Sequence, residues 1–177
     1  MYEWDLRDYP YLNTWTLMSE AFEASYKAVE TELDRHGTTL AQLNMLLILD
    51  HCESPLTPGQ IASYVFREQH SVSAQLSRMW RARLVTKTRS KSDQRVVRIK
   101  ITPKGKELLA KIKPAGLGLA QSILEACFSE KELGQFNASL KKVRDSALSK
   151  LGTEAKPVPS GFRIPRPAGK SGITPKH

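Results

Sequence analysis

Residues 57–105 constrain this chain more than any other stretch, because two short helical patterns run directly into two basic, strand-like runs. Thr57 is a good N-cap, Pro58 suits the first helical position and Gln60 completes a capping box, so a helix starts here. Ile61 and Val65, four apart, share one of its faces. The second pattern spans about residues 69–84, with Val72, Leu76 and Met79 recurring at i, i+4 and i+7 and predicting one buried stripe. At about 100° per residue, the opposite face carries His70, Ala74, Ser77, Arg78 and Arg81, with Ser71 and Ser73 on its flanks.

Small polar side chains would let that helix sit deep in a DNA major groove about 12 Å wide, with Ser and Arg addressing base edges and phosphates. Taken alone, the same face also fits an ordinary solvated helix. The following residues narrow the choice. Runs 84–88 and 96–101 alternate β-branched and polar residues, predicting a hairpin. Its tip, residues 89–95, is polar and Arg-rich. Arg95 at such a tip suits a narrow minor groove, and Asp93, two residues earlier, is expected to pair with its guanidinium in a bidentate fashion. Arg89, Lys91 and Arg98 are expected to anchor phosphates.

These residues resemble the MarR family of bacterial transcription regulators. The resemblance is carried by Ile61-Ala62, Ser71-Val72-Ser73, Arg78-Met79, Leu84-Val85, Asp93-Gln94-Arg95 and Ile101-Thr102-Pro103-Lys104-Gly105. It covers roughly residues 10–150, and the hairpin motif is its most specific part. It implies a mainly α fold with a small β-hairpin wing: a winged helix-turn-helix with N- and C-terminal dimerisation helices. It implies a homodimer on pseudo-palindromic double-stranded operator DNA, with release by a small aromatic ligand or by oxidation. Two positions depart from the family. Relatives often have Gly where Arg83 stands, so Arg83 either adopts φ > 0 or the helix ends differently. Many relatives also have Gly in the helix-helix turn, where this chain has Phe66 followed by Arg67-Glu68-Gln69.

Charge is segregated along the chain. Residues 1–55 hold three basic side chains against ten acidic ones, whereas residues 67–104 hold eleven basic against two acidic. An evenly solvated surface would not separate charge this way, and the formal net charge of +9 favours a polyanionic partner. At 177 residues the chain is long enough for a real core.

The expected organisation is an N-terminal dimerisation helix (1–36), the DNA-binding unit (37–113), C-terminal dimerisation helices (114–152) and a disordered basic tail (153–177). Trp15, Met18, Phe22, Tyr26, Val29 and Leu33 give the first helix more large apolar residues than one small lobe needs, pointing to a dimer interface rather than an internal core. Gly37 is the expected stop. Thr39, boxed with Gln42, opens a central apolar helix ending near Cys52. Thr102-Pro103 opens another, which either kinks at Pro114 or breaks and restarts near Leu117. Ser129 and Glu132 cap the last helix, whose apolar face is Leu133, Phe136, Leu140, Val143, Ala147 and Leu151. The tail has five prolines and three glycines without apolar period.

No enzyme is expected. Gly169-Lys170-Ser171 mimics the end of a phosphate-binding loop, but Ile164 stands where the motif needs glycine. The histidines show no metal-ligand spacing, and no cofactor is expected. Cys52 and Cys127 do not form a disulfide framework and look like buried small hydrophobes rather than sensing thiols. Trp15, Met18, His36, His51 and Trp80 are candidates to line an effector cleft. With no signal peptide and no membrane-spanning stretch in view, the expected location is cytoplasmic, without a membrane partner. A non-specific or architectural DNA-binding protein and a winged-helix protein-interaction module are the competing readings.

Overall fold

The computed structural model describes residues 9–89 and 93–152. In chain order the elements are α1 (Pro10–Asp34), α2 (Leu40–His51), α3 (Pro58–Val65), α4 (Gln69–Arg81), β1 (Val85–Arg89), β2 (Val97–Ile101), α5 (Pro103–Cys127) and α6 (Glu130–Lys150). A mainly helical chain in which two short helices lead into an antiparallel hairpin is a winged helix-turn-helix, as the periodicities predict.

Local chemistry sets the helix starts. Thr57 Oγ1 accepts from the Gln60 N–H at 3.2 Å, and Gln60 Oε1 accepts from the Thr57 N–H at 2.8 Å, so two orphan donors are satisfied reciprocally. Ser129 and Glu132 repeat this box at α6. At α2 the Thr39 hydroxyl accepts from the Gln42 N–H, which is one half of the expected box; the reciprocal bond from the Gln42 side chain is not made. A second cap comes from α1, where Glu30 Oε2 accepts from the Leu40 N–H at 2.6 Å. Gly37, at φ +65, turns the chain between these helices.

Two positive-φ positions bracket α4 and neither is glycine. Phe66 (φ 51) ends α3, and Arg83 (φ 61) follows α4. Of the two alternatives open at Arg83, the left-handed one is realised. An L side chain there costs about 1–2 kcal/mol.

The core centres on α2, whose Leu43 and residues 45–49 are all buried. Around it lie Val29 and Leu33 of α1, Ile61 and Ala62 of α3, the predicted Val72, Leu76 and Met79 of α4, and Leu109 and Ile112 of α5. The hairpin register pairs Val85 with Ile101, Lys87 with Ile99 and Arg89 with Val97. The strand period of two then turns Val85, Ile99 and Ile101 to the core. Leu56 bridges to Ile99 through two backbone hydrogen bonds of 3.0 and 2.7 Å, a third, one-residue strand that the pattern did not announce.

Helix α5 runs unbroken through Pro114, so the break considered near Leu117 does not occur, and the boundary expected at 113/114 falls inside one helix. Pro114 and Ala110, whose carbonyl loses its N–H partner, are both exposed, so the lost bond is not sealed in the core. Buried Gly116 lets α5 cross its neighbours closely: a Cβ there would lie 2.6 Å from Leu43 Cδ2 and 3.1 Å from Leu33 Cδ2. Helix α6 buries none of its residues within the chain. Leu133 is half-buried and Phe136 stacks on Phe128 at 4.8 Å, but Leu140, Val143 and Leu151 of its apolar face are exposed. The N-terminal half of α1 is similarly bare, with Tyr11 91% and Trp15 63% exposed. Among the described residues, no helix is long and apolar enough to cross a membrane.

The packing at Gly116 predicts that Gly116→Ala destabilises the protein by about 1–3 kcal/mol through overpacking. Gly118→Ala, with nothing within 4 Å of the added carbon, stabilises by about 0.5–1 kcal/mol. Urea unfolding of the two variants beside the parent checks both signs.

Candidate nucleic-acid interface

Helix α4 is held by its buried stripe, and what it turns outward follows from that. His70, Ser71, Ala74, Arg78 and Arg81 are exposed, while Ser73 and Ser77 are half-buried on the flank. Arg78 lies along the helix, with Nε and Nη2 donating to Gln75 Oε1 at 3.0 and 2.5 Å. Its partner is neutral, so the full positive charge stays available. Ser77 is different. Its hydroxyl donates to the Ser73 carbonyl at 2.9 Å and accepts from Lys87 Nζ at 3.0 Å. A residue expected to face bases is thus engaged within the protein.

The hairpin tip corrects one expectation. Asp93 does not pair with the Arg95 guanidinium. Its Oδ1 accepts from the Arg95 backbone N–H at 2.9 Å, and its carbonyl accepts from the Val96 N–H at 3.0 Å. Two residues apart on a tight turn, a short carboxylate reaches its own backbone more readily than a long, flexible guanidinium. Asp93 therefore shapes the turn, and Arg95 stands exposed at its end. Arg89 is also exposed, at the end of β1. Lys91 lies outside the described residues. Arg98 pairs with Thr88 near the tip end of the hairpin but does not stand free: it is half-buried, with Nη1 donating to the Pro55 carbonyl at 3.4 Å.

Sequence reasoning missed Lys87. It occupies the core-facing side of β1 opposite Ile99, with Nζ on Ser77 and 5.4 Å from the centroid of the Trp80 ring. The signal was present: in the run Val85-Thr86-Lys87, the period of two puts a charge where an apolar residue belongs. It also missed how α4 ends. Thr102 Oγ1 donates to the Arg83 carbonyl at 2.8 Å, and Lys104 Nζ donates to the Ala82 carbonyl at 3.0 Å. A cation at the C-terminal carbonyls also suits the helix dipole.

The five effector-cleft candidates do not gather in one place within a single chain. Trp15 and Met18 lie in the first half of α1, and about 28 Å of helix separates Trp15 from Asp34. His36 follows that end and pairs with Glu32 at 3.6 Å. His51 closes α2, and Trp80 lies beside Lys87. The cysteines divide. Burial pushes the half-buried Cys52 thiol up, away from reactive thiolate. Cys127 is exposed at the end of α5, contrary to the buried reading. Among the described residues, no group of three or more His, Cys, Asp or Glu could hold a metal ion.

A sequence model described as "MarR family" matches residues 36–96. No curated protein sequence matches the chain. Solved structures share the fold. AbsC, a MarR family transcriptional regulator from Streptomyces coelicolor, is similar with a TM-score of 0.72 at 20% identity, over 78% of this chain and 94% of that one. The MepR–DNA complex from S. aureus gives 0.67 at 24% identity, over 77% and 97%. BpsR of Bordetella bronchiseptica, whose DNA binding is regulated by 6-hydroxynicotinic acid, gives 0.68 at 19% identity, over 75% and 99%.

The Asp93 turn yields a test. Asn also closes such turns, so Asp93→Asn keeps the slow exchange of the Arg95 amide, while Asp93→Ala loses it. Hydrogen exchange at that amide reads the difference; a guanidinium pair would instead make Asn as damaging as Ala.

Proposed function

From a chain that carries the MarR-family pattern over residues 36–96 and the fold of that family's regulators, we propose a homodimeric, sequence-specific DNA-binding transcription regulator: a cytoplasmic repressor released by a small aromatic ligand. The observation that carries this reading is the outward face of α4. Its stripe of Val72, Leu76 and Met79 is buried, so His70, Ser71, Ala74, Arg78 and Arg81 are turned out together, beside a hairpin ending in exposed Arg95. In this reading 37–113 forms the DNA-binding unit.

Each protomer inserts α4 into one major groove, with two copies about 34–36 Å apart along pseudo-palindromic DNA. Arg95 enters the flanking minor groove, and Arg89 contacts phosphate. Dimerisation through 1–36 and 114–152 is supported by the apolar residues that α1 and α6 leave uncovered within one chain. The same fold in a DNA complex of MepR supports the partner, and the regulation of BpsR by 6-hydroxynicotinic acid supports an aromatic acid as effector class. Such an effector need only favour a mismatched spacing of the two α4 helices by a few kcal/mol. No catalytic step belongs to this reading.

The competing reading is an architectural protein that uses the same basic face without reading bases. Binding of the duplex upstream of the protein's own gene, measured across salt against a scrambled duplex, separates them. A preference of about 10³ or more, with two protomers bound, is expected; equal binding of both duplexes rejects sequence specificity at this site. Arg95→Ala should weaken the native duplex by about ten- to hundredfold and relax the preference in its flanks. Arg89→Ala should weaken both duplexes alike and reduce the salt slope by about one.

A further inference from the structure

We infer that Lys87 is a positioning residue, a strut that fixes the wing at a set angle to α4 and acts on DNA recognition through that angle rather than through contact with DNA. The inference rests on the DNA-binding reading above.

Three observations carry it. First, Lys87 lies on the core-facing side of β1, in register with buried Ile99, where a charge has no place unless something receives it. Second, what receives it belongs entirely to α4. Nζ donates to Ser77 Oγ at 3.0 Å and lies over the Trp80 ring at 5.4 Å, within the range of a cation–π contact. Third, the chain of contacts continues into the backbone, since the Ser77 hydroxyl donates a hydrogen bond to the Ser73 carbonyl at 2.9 Å. One ammonium thus connects β1 to about two turns of α4, through residues 73, 77 and 80.

The physical consequence is geometric. A two-stranded hairpin is marginal by itself, and here its root is held by backbone pairing of Leu56 with Ile99 and by apolar contacts of Val85, Ile99 and Ile101. The apolar contacts are non-directional, and the Leu56–Ile99 hydrogen bonds do not involve α4. The Lys87 hydrogen bond is directional, lies level with the Leu56–Ile99 pairing, and ties the hairpin to α4, which that pairing does not. If α4 and Arg95 are to enter adjacent grooves together, the angle between them must be held within narrow limits. The strut also removes Ser77 from the set of base-reading side chains, leaving His70, Ser71, Ala74, Arg78 and Arg81 for that task.

The test uses the full-length protein and a fluorescent operator duplex, with native or randomised flanks, titrated across salt. Lys87→Met keeps the aliphatic stem and removes the ammonium. It is expected to weaken the native operator by about tenfold, to erase the preference for native flanks, and to leave the salt slope unchanged. Lys87→Arg, which can still reach Ser77 and stack on Trp80, restores most of the flank preference. A salt slope lowered by about one, with equal loss on both flanks, would identify Lys87 as a phosphate contact and overturn the inference. Unchanged affinity and flank preference overturn it as well. Ser77→Ala gives a second route if Lys87→Met folds poorly: it cuts the link from the α4 side and should reduce flank preference, whereas an unchanged preference rejects the strut. Should the parent protein itself fail to distinguish operator from scrambled DNA, the regulator reading fails first, and does so visibly, before any variant is compared.

Discussion

The outward face of α4 and the hairpin beside it both hang from the close approach of α5 to the rest of the chain. At its start, a Cβ on Gly105 would strike the Leu84 carbonyl and lie 2.8 Å from Ile101 Cγ1. Only glycine lets the first turn of α5 seat against the junction between α4 and β1. With that seat made, Thr102 and Lys104 reach the last carbonyls of α4. Eleven residues on, Gly116 gives the second close contact, against Leu33 and Leu43. One rigid helix therefore ties the end of α4 to the core around α2 and continues outward to α6. Displacement of α5 in its seat is transmitted to the end of α4, because a close-packed contact has no free volume to absorb it.

Electrostatics divides the molecule without holding it together. The ion pairs among the described residues, such as Lys106 with Asp50 at 3.6 Å, are exposed or partly exposed to solvent, and surface pairs stabilise by about 0–1 kcal/mol. Apolar burial around α2 supplies the cohesion. Charge is left to arrange the surface, with acidic side chains concentrated before residue 56 and basic ones between 67 and 104. Glu30 is an exception with a structural task, since its carboxylate caps α2 from α1.

The two ends of α4 also show stability yielding to something else. Phe66 and Arg83 occupy left-handed backbone that glycine would adopt freely, and Phe66 is 62% exposed, so burial does not offset the strain. Strain at element ends beside an interaction surface is where function characteristically outweighs stability. Arg83 adds a positive charge at the foot of α4 in exchange.

Local patterns by themselves determined the elements and their faces. Thr57-Pro58 with Gln60, Thr102-Pro103, and Ser129 with Glu132 announced helix starts because capping is settled within four residues. Val72, Leu76 and Met79 announced the inner side of α4, and therefore its outer side, because a helix repeats every 3.6 residues. What the tertiary structure decided were the relations between residues distant in sequence or competing for one partner. The Asp93 carboxylate chose the Arg95 backbone over its side chain once the turn closed. Arg98 found Pro55, forty-three positions away. Pro114 was tolerated because its side of α5 faces water. Lys87 acquired its role only when β1 lay against α4 and brought Ser77 and Trp80 within reach. Periodicity fixes the direction in which a side chain leaves its own element, whereas the group it meets depends on how elements pack, and that is a property of the folded whole.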